Sequence, residues 1–283
     1  MTSSVDVLVQ DLYFPEALRW HEGHLWFSDV FGGDVCRVGS SGVEVVAHLP
    51  ESISGLGWLP DGSTLVVSCG PRKLLRIARD GLISDYADLS DYLNFDANDM
   101  IVDEKGRAYV GNYGFDVSAG ADPIPTNLIR VNLDRTVVTE QPALVFPNGA
   151  ALVDGGRGLV VAETFADRLS YLRVAEDGHL HDARILARLP AGAGPDGITA
   201  DASGGVWVAC AFGSAVIRLT PDGQISDRIE FPGMGVYCCA LGGSDGRTLY
   251  VAIASLDESL AERERTGSIV SVQVSVPTDQ VIR

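Results

Sequence analysis

The chain's apolar residues fall in short runs separated by glycine or polar turns, and one pattern recurs. Its copies are HLWFSDV (24–30), STLVVSC (63–69), RAYVGNY (107–113), GLVVAET (158–164), GVWVACA (205–211) and TLYVAIA (248–254). With Leu25, Leu65, Ala108, Leu159, Val206 and Leu249 taken as equivalent, the spacings are 40, 43, 51, 47 and 43 residues. A short run precedes each copy: EALRW (16–20), SGLGW (54–58), NDMIVD (98–103), NGAALVD (148–154), DGITAD (196–201) and CCALGG (238–243). Another follows: DVCRV (34–38), KLLRIA (73–78), NLIRVNL (127–133), RLSYLRV (168–174), AVIRLT (215–220) and GSIVSVQV (267–274). A fourth often completes the unit, as in VEVVAHL and QISDRIEF. Runs this short, bounded by turn residues, read as strands. Four antiparallel strands per unit of roughly 40–50 residues is the pattern of a propeller blade. The sequence therefore predicts an all-β fold, a six-bladed β-propeller forming a single domain over residues 1–283. A pair of sandwiches or a solenoid accounts less well for six copies. The sixth unit lacks a fourth strand, and VDVLVQDL (5–12) has no unit of its own. Pairing 5–12 with 267–274 closes the ring and removes an exposed sheet edge. The only helical-looking stretch, DESLAERER (257–265), reads as an insertion in blade six.

In a propeller the innermost strand of each blade lines the axial channel. The residue opening each inner strand is Glu16, Ser54, Asn98, Asn148, Asp196 and either Tyr237 or Cys238. Two carboxylates and two amides converging from four blades suit an oxygen cage for one hard divalent cation. The alternative is that these polar residues only satisfy backbone groups at the strand turns. The absence of a histidine cluster puts Ca²⁺ first, with Mg²⁺, Mn²⁺ or Zn²⁺ as alternatives. The second strand ends beside the start of the first. The expected pocket rim is therefore Ser28 and Asp29, Ser68 and Cys69, Asn112 and Tyr113, Glu163 and Thr164, Cys210 and Phe212, and Ser255, with Tyr237 from the last inner strand. The long segment 112–126 is either a lid or a tolerated insertion.

Charge narrows the partners. Lys+Arg number 21 against 38 Asp+Glu, a formal net charge of −17. Such a surface repels phosphate backbones and anionic lipid, so neither nucleic acid nor a membrane surface is expected. No run of 18 apolar residues and no signal-like N-terminus is present, and five cysteines occur without a C-x-x-C spacing. These features predict a cytoplasmic protein with reduced thiols, a monomer or small homo-oligomer, acting on a small molecule. No G-x-S-x-G elbow occurs, and the five histidines lie in polar turns or an outer strand, which argues against serine-hydrolase and histidine-base chemistry. The vicinal Cys238–Cys239 pair sits in a strand and reads as packing.

Several segments resemble the SMP-30/gluconolactonase/LRE family. PEALRW (15–20) is similar to its E-x-P-x-W segment and FSDV (27–30) to F-x-D-I. NDMIVDEKGRAYVG (98–111) resembles N-D-G-x-x-D-x-x-G-R-x-x-x-G, and PNGAAL (147–152) resembles S/P-N-G-[IL]. PDGITADASGGVWVA (195–209) is the most specific match, and CCALGGSDGRTLYVA (238–252) resembles the last-blade segment. The resemblance implies a six-bladed propeller that holds one divalent metal and hydrolyses lactones or related esters. It implies Glu16, Asn148 and Asp196 as metal ligands, with Asn98 a further ligand or a substrate-orienting group. The expected chemistry is carbonyl polarisation by the metal and activation of water by a carboxylate, Asp196 or Glu163. Asn98 would orient carbonyl or water, and Tyr113 or Tyr237 would donate a hydrogen bond. Sugar-lactone members carry an arginine two residues before the N-D pair, where this chain has Asp96. Asp96 and the aromatic residues near the rim imply a neutral, less polar substrate. VAETFADRLSYLRV (161–174) is closer to strictosidine-synthase-like relatives, so a non-hydrolytic propeller enzyme (lyase, hydratase or condensing) and a non-catalytic binding propeller are the alternatives.

Overall fold

The computed structural model describes residues 4–141 and 143–278. Six four-stranded sheets follow one another along the chain. Their first strands are Pro15–His21, Ile53–Trp58, Ala97–Val102, Pro147–Val153, Pro195–Ala200 and Met234–Gly242. Each of these contacts the first strand of the next blade, and the sixth returns to the first, so they form the inner ring of a propeller. The sixth sheet runs Met234–Gly242, Thr248–Ser255, Gly267–Gln273 and then Val5–Leu12. Val5 pairs with Val272 and Val7 with Val270, antiparallel, so the N-terminal strand closes the ring as expected.

Alternation along the strands places apolar side chains on both faces of each sheet, because every blade is covered by a neighbour on either side. Of the seven clusters of buried residues among the described residues, six lie one at each junction between blades. Leu65, Val67 and Leu74 of blade two meet Met100, Val110 and Ile129 of blade three. Leu18, Leu25 and Phe27 of blade one meet Cys238, Ala252 and Ile269 of blade six. Removing one such side chain, as in Leu65→Ala, costs about 2–5 kcal/mol. All five cysteines are buried and unpaired, in keeping with packing roles. Burial raises Cys36 to about 12, so it stays a thiol.

Of the helical-looking stretch only Glu258–Ala261 is a helix, held against the end of Thr248–Ser255. Segment 112–126 is not free: Pro125–Thr126 pairs with Leu144–Val145, and Phe115 is buried. No helix among the described residues is long and apolar enough to cross a membrane.

Candidate functional site

One end of the axial channel opens into a cavity of about 270 Å³. Glu16, Ser54, Asn98, Asn148, Asp196 and Tyr237 all line it, one from each inner strand. The backbone explains their convergence. Pairing with the second strand shifts register between Glu16 and Arg19, Ala97 and Met100, Pro147 and Ala150, and Pro195 and Ile198, with like shifts in the other two blades. A bulge at this level turns one extra polar residue towards the axis. The inner strands also approach closely there. A Cβ on Gly149 would lie 2.4 Å from the Asp196 carbonyl oxygen, and one on Gly197 would lie 2.4 Å from Cys238 Sγ. Two bulkier residues adopt left-handed backbone beside the candidate ligands: Ala17 (φ 50°) follows Glu16, and Phe146 (φ 51°) lies two before Asn148. Such strain is common where a site is over-determined by its surroundings.

The electrostatics fit a hard cation. Asp196 Oδ1 is buried and has no hydrogen-bond partner. Glu16 Oε2 accepts only the adjacent Ala17 N–H, at 3.1 Å. Burial pushes Glu16 well above its usual value, reinforced by the charges of Asp196 and Asp99. Burial likewise raises Asp196, with Asp99 and Glu258 adding to it. Asn148 donates its Nδ2 to Thr164 Oγ1 at 3.2 Å, and Thr164 donates to the Pro195 carbonyl at 2.9 Å. That relay fixes the amide so that its carbonyl oxygen is left for the cavity. Beneath the carboxylates, Arg19 Nη2 meets Asp99 Oδ1 at 2.7 Å. Three buried carboxylates and one guanidinium leave two negative charges, and two carboxylates with two amide oxygens can hold a divalent ion. No three His, Cys, Asp or Glu side chains cluster as ligands among the described residues, so an ion at this level would need the amide oxygens of Asn98 and Asn148 as well.

The second strands contribute differently from expectation. Asp29, Ser68, Asn112, Glu163 and Cys210 each pair with the residue just before the axial position. None of the five lines the cavity; the next residues, Val30, Cys69, Tyr113, Thr164 and Ala211, do. Side chains alternate along a strand, so a one-residue offset exchanges faces. Glu163 is thus corrected from rim base to structural anchor. It is fully buried, accepts the Val145 N–H at 2.7 Å, and binds Arg168 (2.6 Å) and Ser170. Asn112 is corrected likewise: its amide donates to the Asn127 carbonyl at 2.8 Å and accepts the Thr126 hydroxyl. Asp29 plays the same part in blade one, accepting the N–H groups of Tyr13 and Phe14. Ser28 and Ser255 also lie outside the lining. The Tyr237 hydroxyl is committed to the Ser255 carbonyl at 2.8 Å, so Tyr237 is a wall rather than a free donor.

Asp96, Tyr113 and Phe212 do line the cavity. Burial raises Asp96, while Arg72 opposes the shift. The aromatic residues form two walls. On one, Tyr113 stacks on Phe146 (4.6 Å between centroids), Phe146 meets Phe165 edge-on and Phe165 leads to Phe212. On the other, Phe14 lies between Tyr237 (4.3 Å) and Phe31 (5.2 Å). Phe146, Glu258 and Glu262 line the cavity without having been anticipated. Phe146 precedes the P-N-G motif by one residue and could have been found from that adjacency; the two glutamates lie in an insertion with no counterpart in the other blades.

Residues 14–255 match the SMP-30/Gluconolactonase/LRE-like region. A 6-deoxy-6-sulfogluconolactonase of Pseudomonas putida is 26% identical over 267 residues, spanning 89% of this chain and 88% of that one. A luciferin-regenerating enzyme superposes with a TM-score of 0.83 at 19% identity, covering 99% of both chains. A calcium-binding protein, regucalcin, from Agrobacterium tumefaciens superposes with a TM-score of 0.77 at 20% identity, covering 99% of this chain and 98% of that one. With the ring and the matched region in agreement, the chain belongs to the SMP-30/gluconolactonase/LRE-like family.

Proposed function

We propose that the protein is a divalent-cation-dependent hydrolase of lactones, with a less polar substrate than a sugar-acid lactone. One observation carries this reading: Asp196 Oδ1, buried without a partner, on the floor of an aromatic-walled cavity that Glu16, Asn98 and Asn148 share. Membership of a lactonase-rich family and the sulfogluconolactonase relative support the reaction class. The calcium-binding protein of the same fold agrees with the oxygen donor set, and Ca²⁺ is the ion we assign first.

A cation held by Glu16, Asn148, Asp196 and Asn98 supplies Lewis acidity towards a carbonyl oxygen. The chain's own groups do the rest. Asn98, half-buried at the floor, orients the carbonyl or the attacking water. Asp196 receives the water's proton, since Glu163 is locked to Arg168 and Ser170. Water adds to the carbonyl carbon, the ring C–O bond breaks, and the proton passes to the departing oxygen, leaving a hydroxy acid. Tyr113 stands over the floor with a hydroxyl held protonated by burial, available to donate. The two aromatic walls exclude water and favour an apolar body, and Asp96 disfavours an anionic substituent. A pH-indicator screen over alkyl- and polyhydroxy-lactones, with Ca²⁺, Mn²⁺ or Zn²⁺ added, tests the reading. Acid release from alkyl lactones is expected, and no acid from any lactone with any ion would refute it.

A further inference from the structure

The cavity holds more negative charge than one divalent ion can balance. Glu16 and Asp196 answer the ion, but Asp96, Glu258 and Glu262 also line the walls, and no Lys, Arg or His does. Two guanidinium groups beside the inner strands are committed elsewhere. Arg19 is bound to Asp99, and Arg72 donates to the Leu93 carbonyl at 2.9 Å while drawing on Asp96. Glu258 and Glu262 make no side-chain hydrogen bond or ion pair among the described residues. They lie four residues apart, both exposed to solvent at the cavity wall, and partial desolvation with the charge of Glu262 raises Glu258. Exposed like charges four residues apart repel each other only weakly, but their place on the wall of a cavity that no cationic side chain lines calls for a chemical reason. The facing surfaces supply one. Phe165 and Phe212, which line the cavity, are 39% and 48% exposed, and Phe14, Phe31 and Tyr237 form the other aromatic wall. Ring faces carry negative electrostatic potential, so aromatic walls combined with unpaired carboxylates suit an organic cation.

We propose that the substrate carries a cationic ammonium group in addition to its reacting carbonyl, with the carbonyl on the floor and the ammonium between the aromatic walls and the Glu258–Glu262 face. The proposal rests on the hydrolase reading and adds a cationic group to the apolar substrate body which that reading favours. It gives the insertion in blade six a task, because that segment supplies both carboxylates. Hydrolysis of such a lactone breaks the ring C–O bond and yields a zwitterion. Hydrolysis of a neutral lactone leaves an anion, which the same carboxylates repel.

The test uses two γ-butyrolactones alike except for a trimethylammoniomethyl group or its uncharged neopentyl isostere. The cation should be preferred at least about tenfold in kcat/KM. The preference should shrink as salt rises and should fall in Glu258→Gln and in Phe212→Leu. Binding of benzyltrimethylammonium and of benzoate is measured by calorimetry alongside, so that recognition is read apart from turnover. Tight binding of the ammonium and none of benzoate supports the proposal even where neither lactone is cleaved, an outcome that would instead refute the hydrolase reading. Hydrolysis of the neopentyl lactone at an equal or higher rate, with no ammonium binding, overturns the cationic substrate and leaves the hydrolase intact.

Discussion

Arg19 Nη2 lies 2.7 Å from Asp99 Oδ1 on the propeller axis, and the same nitrogen donates to the Met100 carbonyl at 2.7 Å. The Asp99 side chain is almost fully buried, whereas that of Arg19 keeps 16% of its surface exposed. This pair separates the ligand cavity from a second opening at the other end of the channel, lined by Arg19, Trp20, His21 and Trp58 among others. It also neutralises one of three axial carboxylates, so the charge left for an ion above it belongs to Glu16 and Asp196.

Breaking that pair on one side should be costly, because the remaining charge stays buried. Arg19→Met is expected to destabilise by about 3–5 kcal/mol. The double variant Arg19→Met/Asp99→Leu should recover much of the loss. Urea unfolding of the two single variants and the double variant measures the coupling; additive losses would show that the pair is not an isolated unit.

Thr164 gives the cleanest test of how Asn148 is held. Thr164→Val keeps the shape and removes the hydroxyl that receives the Asn148 amide and donates to the Pro195 carbonyl. Metal affinity should fall about 10–100-fold, as for other groups that orient a ligand. Calorimetric titration of chelated protein with Ca²⁺ reads this directly, and an unchanged Kd would mean that Thr164 does not set the amide.

The ring and its closure were legible in the sequence because alternation, turn residues and a 40–51-residue spacing all report the same backbone. Five of the six axial positions are legible for a related reason: each stands second in an inner strand, and a polar residue there interrupts an otherwise apolar run. Face assignment on the second strands was not, since it depends on the bulge, and a bulge leaves no fixed residue type. Glu163 and Asn112 were therefore placed on the wrong side by one residue. The D-x-x-G element of the most specific motif is architectural as well. Asp201 accepts the N–H groups of Ser203 (2.9 Å) and Gly205 (3.0 Å) and binds Arg218 at 2.7 Å. Asp103 does the same for Lys105 and Arg107 in blade three. Glu258 and Glu262 had no repeat to reveal them.

The Asp201 network has a defined pH signature. Burial acts to raise its pKa, but Arg218, the Ser203 hydroxyl and two N–H groups outweigh it and leave the carboxyl lowered. A lowered carboxyl stabilises the fold above its unfolded pKa and loses that contribution as pH falls through the folded value. Asp201→Asn should therefore cost about 3 kcal/mol at neutral pH, and the gap to wild type should narrow below about pH 4. Thermal unfolding at several pH values checks it; a gap constant across that range would contradict the assignment.

Ring closure predicts the effect of truncation. Deleting residues 1–12 removes the partner of Gly267–Gln273 and bares an apolar sheet edge. The truncated protein should aggregate at concentrations where the full chain stays dispersed, as read by light scattering. Unchanged Tm and dispersity would show that the strand adds nothing to the ring.

In the proposed reaction Glu16, Asn148 and Asp196 hold a divalent ion without which lactones are not hydrolysed. The most direct measurement is kcat/KM for an alkyl γ-lactone, with chelated protein of verified metal content, before and after Ca²⁺ or Mn²⁺ is added back. A loss of at least about 100-fold on chelation is expected, some 2.7 kcal/mol of transition-state stabilisation, with recovery in wild type and none in Glu16→Gln. A metal-free protein that hydrolyses the lactone at the undiminished rate would contradict it.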